Sequence, residues 1–398
     1  MIMDITIDPQ KLNGTVAVIP SKSQAHRLLI CAAFADAPTE LICPDTNRDI
    51  EATADCLRAL GADIVRTGQG YSVTPCQKTP ASAVLNCCES GSTLRFLLPI
   101  AGALGVDAVF QMAGRLPQRP LSPLWEEMER MGCRLSRPTA DTIRCQGKLT
   151  AGAYRIDGGV SSQFITGLLL ALSLMEEKST LTITGKTESR PYIEMTKRAM
   201  SLFCVDPDQL GGQRFRSPGR LTVEGDWSNG AFWLAAQALG SRLTVTGLDP
   251  DSPQGDREAS RFLSLIKAGA PTISAADTPD LVPVLAVAAA ANHGALFTDI
   301  QRLRLKETDR VATTCAMLQA LGAETEATDS TLCVHPAPLR GGTVDAANDH
   351  RIAMSAAVAA TVCDGPVTVL SAESVNKSYP HFWAEYRRLG GRYEQHLR

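Results

Sequence analysis

The chain has 398 residues, enough for two or three separate cores, and its 44% hydrophobic and 20% charged content excludes a disordered or fibrous protein. A formal net charge of -3 and a pI near 6.1 argue against nucleic acid as a partner, because phosphate-backbone binders carry a clustered basic excess. The longest apolar runs, residues 164–175 and 281–291, fall short of the ~20 residues that span a bilayer, and the first five residues show no export signature, so the chain reads as cytoplasmic with no membrane partner.

In chain order, the first predicted helix opens at Ser21-Lys22-Ser23. Lys22, Ser23 and Arg27 lie within about one and a half turns and converge at the helix start. Ser90-Gly91-Ser92-Thr93 leads into an apolar helix with Arg95 one turn inside. Free N–H groups at such a start favour an anion, and an arginine there opposes the helix dipole unless an anion answers it. Ser161-Ser162-Gln163 precedes the apolar run 164–175 and offers two hydroxyls and an amide, sufficient for a cap. Residues 181–184, 242–246 and 366–370 have the β-branched alternation of strands. The Gly/Arg/Pro-rich stretch 211–220 reads as a crossing between domains.

Further helices open near Asn229 and at Asp280, whose carboxyl is suited to capping the 281–291 run. Residues 303–310, Leu-Arg-Leu-Lys-Glu-Thr-Asp-Arg, alternate cations with carboxylates, and pairing along a solvated helix face explains that pattern without a ligand. Asn348-Asp349-His350-Arg351 differs. Asp349 is placed to cap a helix, with His350 and Arg351 facing outward in its first turn, where cations again ask for an anion.

A helix that runs into glycine and then a β-rich stretch recurs at Gly61, Gly132, Gly269, Gly322 and Gly390, with a weaker copy in which Cys204 replaces glycine. The chain therefore reads as about six α/β units. Its 12 cysteines form no Cys-x-x-Cys pair and its six histidines have no metal-ligand spacing, so no metal is expected. Isolated cations beside hydroxyls and small residues, in a chain that is acidic overall, point to a small and multiply anionic ligand.

Together these segments resemble the 5-enolpyruvylshikimate-3-phosphate synthase family of enolpyruvyl transferases over essentially the whole chain. The family's P-x-K-S-x-x-x-R stands at Pro20, Lys22, Ser23 and Arg27, its L-R-x-K-E-[ST]-D-R at residues 303–310, and its N-D-H-R-x-A-M at 348–354. S-S-Q at 161–163, Arg190-Pro191-Tyr192 and Lys377-Ser378-Tyr379-Pro380 complete it. One departure is Glu89-Ser90-Gly91-Ser92, where the family commonly has Asn-Ala-Gly-Thr; the carboxylate changes the local charge and is expected to pair with a nearby cation.

The resemblance implies an α/β fold of two similar domains, each of three β-α-β-α-β-β repeats in an inside-out α/β barrel, with the active site in the interdomain cleft. It implies a discontinuous domain, 1–19 plus 221–398, on the phosphoenolpyruvate side, and an inserted domain, 20–220, on the shikimate 3-phosphate side. The implied reaction moves the enolpyruvyl group of phosphoenolpyruvate to the 5-hydroxyl of shikimate 3-phosphate and releases phosphate, a step of aromatic amino-acid biosynthesis, carried out by a monomer. By motif position, Ser23, Arg27, Ser161, Ser162, Gln163, Ser189, Asp280 and Lys306 fall to shikimate 3-phosphate. Gly91, Arg95, Arg119, Gln163, Arg310, Arg351 and Lys377 fall to phosphoenolpyruvate, and Lys22 to both. Asp280 is the implied base and Glu307 the implied acid, assisted by Lys22 and Lys306, and no metal, nucleotide or organic cofactor is implied. Two rivals are the related transferase acting on UDP-N-acetylglucosamine and a non-catalytic anion binder on the same scaffold. Ser23 after Lys22 and the absence of cysteine from 114–120 disfavour the first, and the pair Asp280 and Glu307 disfavours the second.

Overall fold

Buried helices organise the architecture. In the computed structural model, which describes residues 3–397, every residue of the helices Val282–Ala290 and His350–Ala360 is buried, as are nearly all of Gly91–Leu104 and Ser162–Ser173. The strands instead alternate, as in Cys133–Ser136 and Ala153–Asp157, with one face packed inward and the other in solvent. Helices therefore lie inside and sheets outside. Small residues allow the helices to approach: a Cβ on Gly167 would meet the carbonyl oxygen of Arg95 at 2.2 Å.

The chain divides into two compact units, Met1–Ile19 with Gly225–Arg398, and Pro20–Glu224, each with its own hydrophobic core. In Pro20–Glu224, Ser82–Asn86 pairs parallel with Asp107–Gln111, and the hairpin Cys133–Ser136 and Thr142–Gly147 adds antiparallel beside it. Three more sheets repeat that order. Arg220–Thr222 joins Thr39–Ile42 and the hairpin Asp63–Thr67 and Gly70–Thr74. Thr272–Ser274 joins Ala295–Thr298 and the hairpin Thr325–Ala327 and Thr331–Val334. Gly342–Asp345 joins Val367–Leu370, with Met3–Asp8 and Arg392–Leu397 in the hairpin positions.

The remaining two sheets are bare parallel pairs, Ala153–Asp157 with Thr180–Thr184, and Asn13–Ala17 with Arg242–Thr246. Four units are thus complete β-α-β-α-β-β repeats, and two end after their second helix. The Cys204 stop belongs to one of the shortened units, since it follows helix Arg190–Leu202. At the six stops, Gly61, Gly132, Cys204, Gly322 and Gly390 have φ between 58° and 108°, in the left-handed region. Gly269 is the exception: its φ of 175° is extended backbone, so the chain leaves that helix straight and needs no glycine there.

The second crossing lies beyond the 211–220 stretch. Arg220–Thr222 forms a strand beside Thr39–Ile42, which keeps those residues in the second unit, and the chain leaves it at Glu224 and Gly225. The boundary at 220 therefore moves by one short strand. Ser21 N–H donates to the Glu224 carbonyl in one unit, and Asp226 N–H to the Ile19 carbonyl in the other, at 2.7 and 2.8 Å. Among the described residues no helix is long and apolar enough to cross a membrane.

Candidate active site

In the Pro20–Glu224 unit, four helix starts carry the motif residues. Ser21 caps Lys22–Ala33, its side chain accepting from Gln24 N–H, so Lys22 and Ser23 stand in the first turn. Lys22 Nζ lies 3.0 Å from Asp49, a partner that the motif spacing does not reveal. Ser90 caps Gly91–Leu104 by accepting from Thr93 N–H, and Ser161 caps Ser162–Ser173 by accepting from Gln163 N–H. Gln163 links the last two starts: its Nε2 donates to Ser92 Oγ at 2.9 Å while its Oε1 accepts from Arg95 Nη1 at 2.8 Å. Arg95 is buried, donates also to the Pro120 carbonyl, and lies over the Phe164 ring.

Gly91 explains itself here. A Cβ at that position would meet Arg119 Nη1 at 2.7 Å and Arg95 Nη1 at 3.0 Å, so glycine leaves the room in which two guanidinium groups converge on this helix start. At the start of helix Arg190–Leu202, Ser189 is buried and holds φ 54°, ψ 40°, a left-handed conformation costly for a residue with a side chain.

Arg27 has a different role. It is 2% exposed and gives Nε to Thr196 Oγ1, Nη2 to Thr166 Oγ1 and the Tyr192 carbonyl, and Nη1 to the Ser23 carbonyl. Four of its five N–H donors are thereby used inside the unit. Burial among neutral oxygens lowers its pKa to about 10. Its neighbour His26 heads a buried chain of hydroxyls: Nδ1 meets Thr53 Oγ1, which meets Thr93 Oγ1, which donates to Ser90 Oγ, each at 2.7 Å. Burial first, then Lys22 and Arg27, holds the imidazole well below its ordinary pKa.

In the other unit, Asp280 sits in the short turn Pro279–Leu281 and is not an N-cap. The following helix has Leu281 at its cap with no side-chain bond, and Asp280 instead takes cations. Its Oδ1 lies 2.6 Å from Arg310 Nη1 and 3.2 Å from Lys306 Nζ, and its Oδ2 3.1 Å from Arg351 Nη2. Burial alone would raise this carboxyl, but Arg351, Lys306 and Arg310 outweigh it and hold Asp280 well below the carboxylate range. Burial lowers Lys306 to about 8, against the pull of Asp280.

Residues 303–310 are not a solvated helix. Gln301–Leu305 is a single tight turn, Asp309 caps the next helix, and that helix begins at Arg310. Arg310 is 1% exposed and touches three carboxylates: Asp280, Glu307 at 2.5 Å and Asp349 at 2.8 Å. Asp349 also accepts from Thr308 Oγ1 and from Arg351 N–H as the cap of His350–Ala360. The expected outward orientation of His350 and Arg351 is corrected, because both are buried and Arg351 turns toward Asp280. Lys377 Nζ donates 2.8 Å to the carbonyl of Asn348, whose φ is 61°.

Motif reading gave Asp349 as a cap and not as the counterion beneath Arg310, and it missed two carboxyls, Asp49 beside Lys22 and Asp256. The last is 2% exposed in the turn Gly255–Glu258 and accepts from Ser228. A signal for Asp349 was present in its own motif, since an aspartate before two buried cations suits a counterion as well as a cap.

The family described as EPSP synthase (3-phosphoshikimate 1-carboxyvinyltransferase) matches residues 7–386. A 3-phosphoshikimate 1-carboxyvinyltransferase of Clostridium kluyveri is 36% identical, the match covering 98% of both chains, and one of Clostridium novyi is 34% identical over the same shares. Among solved structures, an EPSP synthase of Acinetobacter baumannii aligns with a TM-score of 0.79 at 22% identity, covering 99% of this chain and 100% of that one. The enolpyruvyl transferase NikO from Streptomyces tendae aligns at 0.76 and 18% identity, covering 99% of each, so these likenesses show a shared fold. Full-length agreement in sequence and in fold places the chain in the EPSP synthase family.

Proposed function

We propose that the protein is a 3-phosphoshikimate 1-carboxyvinyltransferase, joining phosphoenolpyruvate to the 5-hydroxyl of shikimate 3-phosphate in aromatic amino-acid biosynthesis. The observation that carries this reading is the Asp280 cluster, in which two carboxylates suited to proton transfer, Asp280 and Glu307, are both held by the buried Arg310. Full-length relatives bearing the activity's name support it.

Addition comes first: the 5-hydroxyl oxygen bonds to C2 of phosphoenolpyruvate as its proton leaves to a base and the CH₂ carbon gains one from an acid. Elimination follows, in which a methyl proton and the phosphate depart and the vinyl group returns. We assign Asp280 as the base and Glu307 as the acid. Lys306, with its pKa near 8, shares the proton at Asp280, a value poised for exchange near neutral pH. Lys22 serves both substrates. Ser23, Ser161, Ser162, Gln163 and Ser189 hold shikimate 3-phosphate, with Arg27 mainly orienting the surrounding helix starts. Gly91, Arg95, Arg119, Arg310, Arg351 and Lys377 hold phosphoenolpyruvate. Alignment of two anions against their mutual repulsion contributes roughly 7–11 kcal/mol to lowering the barrier.

We further propose that the enzyme acts as a cytoplasmic monomer. The test of function is phosphate release: it should require both substrates and yield the carboxyvinyl ether. Release from phosphoenolpyruvate with UDP-N-acetylglucosamine, and none with shikimate 3-phosphate, would assign the rival reaction.

A further inference from the structure

Asp280 and Asp349 both contact Arg351, and Asp256 feels its charge, yet the three carboxyls are not treated alike. Asp280 has three cations, and Asp349 has Arg310, Thr308 and a backbone N–H. Asp256 is 2% exposed and so more buried than Asp280, yet among the described residues its Oδ2 accepts from the Ser228 hydroxyl alone and its Oδ1 has no hydrogen-bond partner. The turn that holds it is pinned. Gln254, two residues before Asp256, accepts from Trp227 N–H and donates to the Gly225 carbonyl, which ties the start of the turn to the helix Trp227–Ala238.

The charged groups that act on Asp256 are Asp280, Arg351 and Asp226. Asp226 caps helix Trp227–Ala238 by accepting from Asn229 N–H. Within its own turn, Arg257 donates to the Pro250 and Ser252 carbonyls and Glu258 pairs with Arg261, so neither neutralises Asp256. An ionised carboxylate with one hydroxyl donor and two like charges nearby is held at high cost, and retaining the proton removes that cost.

Resting on the assignment of Asp280 as base, we propose that Asp256 is a positioning residue that rests as an uncharged carboxylic acid and sets the proton affinity of Asp280. When Asp256 releases its proton to water, the charge left behind offsets part of the Arg351 field on Asp280. Asp280, otherwise pinned as a weak base by three cations, then takes the 5-hydroxyl proton more readily. Burial, reinforced by Asp280, raises Asp256 to about 7, which places this exchange in the working pH range.

The test begins without substrate. Infrared spectra of the full chain labelled with ¹³C-carboxyl aspartate should show a protonated-carboxyl band near pH 6 that vanishes near pH 9. Asp256→Asn should lack that band at both pH values, and Ser228→Ala, which removes the hydroxyl donor to Asp256, should retain it to higher pH. No band in the wild type near pH 6, or its persistence in Asp256→Asn, would overturn the proposal. In turnover, Asp256→Asn should match the wild-type kcat near pH 6 and fall about threefold to tenfold behind near pH 8.5, with both KM values little changed. Superimposable pH profiles would refute the coupling to Asp280. An inactive wild type that still shows the band would instead overturn the assigned reaction.

Discussion

Arg27 and Arg310 are both almost fully buried, at 2% and 1% exposure, yet one gives its N–H groups to hydroxyls and carbonyls and the other to three carboxylates. The same contrast runs through their surroundings. Around Gly91 two guanidinium groups converge at a helix start, an arrangement suited to receiving an anion. Around Asp280 the cations are already answered by carboxylates, which suits proton transfer. A row of cations in a sequence thus describes two different devices, and only the counterions distinguish them.

The contrast has measurable consequences for stability. Arg310→Met leaves Asp349 and Asp280 without their shared cation, so denaturant unfolding should show a loss of about 3–5 kcal/mol. Arg27→Met strands only neutral oxygens and should cost about 1–3 kcal/mol. Equal losses would mean that the carboxylates around Arg310 find other partners.

Substrate constants should separate next. Ser162→Ala should raise KM for shikimate 3-phosphate and Arg119→Ala that for phosphoenolpyruvate, each by about tenfold to a hundredfold, the equivalent of one charge-assisted hydrogen bond. Identical effects of both variants on both substrates would refute the partition.

A smaller effect belongs to His26. Its folded pKa lies below the unfolded value of about 6.5, so above that pH both states are neutral and no difference arises. Below it the unfolded chain binds a proton that the folded chain refuses, and stability falls by up to about 1.4 kcal/mol per pH unit. Chemical denaturation at stepwise lower pH should show that slope, reduced in His26→Asn. Equal acid slopes would mean that the imidazole takes up its proton in the folded state.

Much of this was legible beforehand, because caps and helix stops are local. Ser21, Ser90, Ser161 and Asp349 cap where their spacing placed them. What escaped was contact between distant residues. Arg310 meets Asp280 and Asp349 across 30 and 39 positions, so a pattern that reads as a charged helix face is a buried counterion network. Asp280 read either as the base that the resemblance implies or as a cap on the apolar run, and nothing local announced the three cations facing it. The two shortened repeats escaped as well, because a stop residue marks the end of a helix whether or not a hairpin follows.

The central claim is that the Asp280 cluster performs chemistry while the helix starts of the other unit chiefly bind. Paired measurements on Asp280→Asn test it most directly: calorimetric titration with shikimate 3-phosphate, and phosphate release with both substrates. Affinity should stay within about tenfold of wild type while kcat falls about 10²- to 10⁴-fold, the range for losing a general base. Near-normal turnover in a folded Asp280→Asn protein would contradict the account.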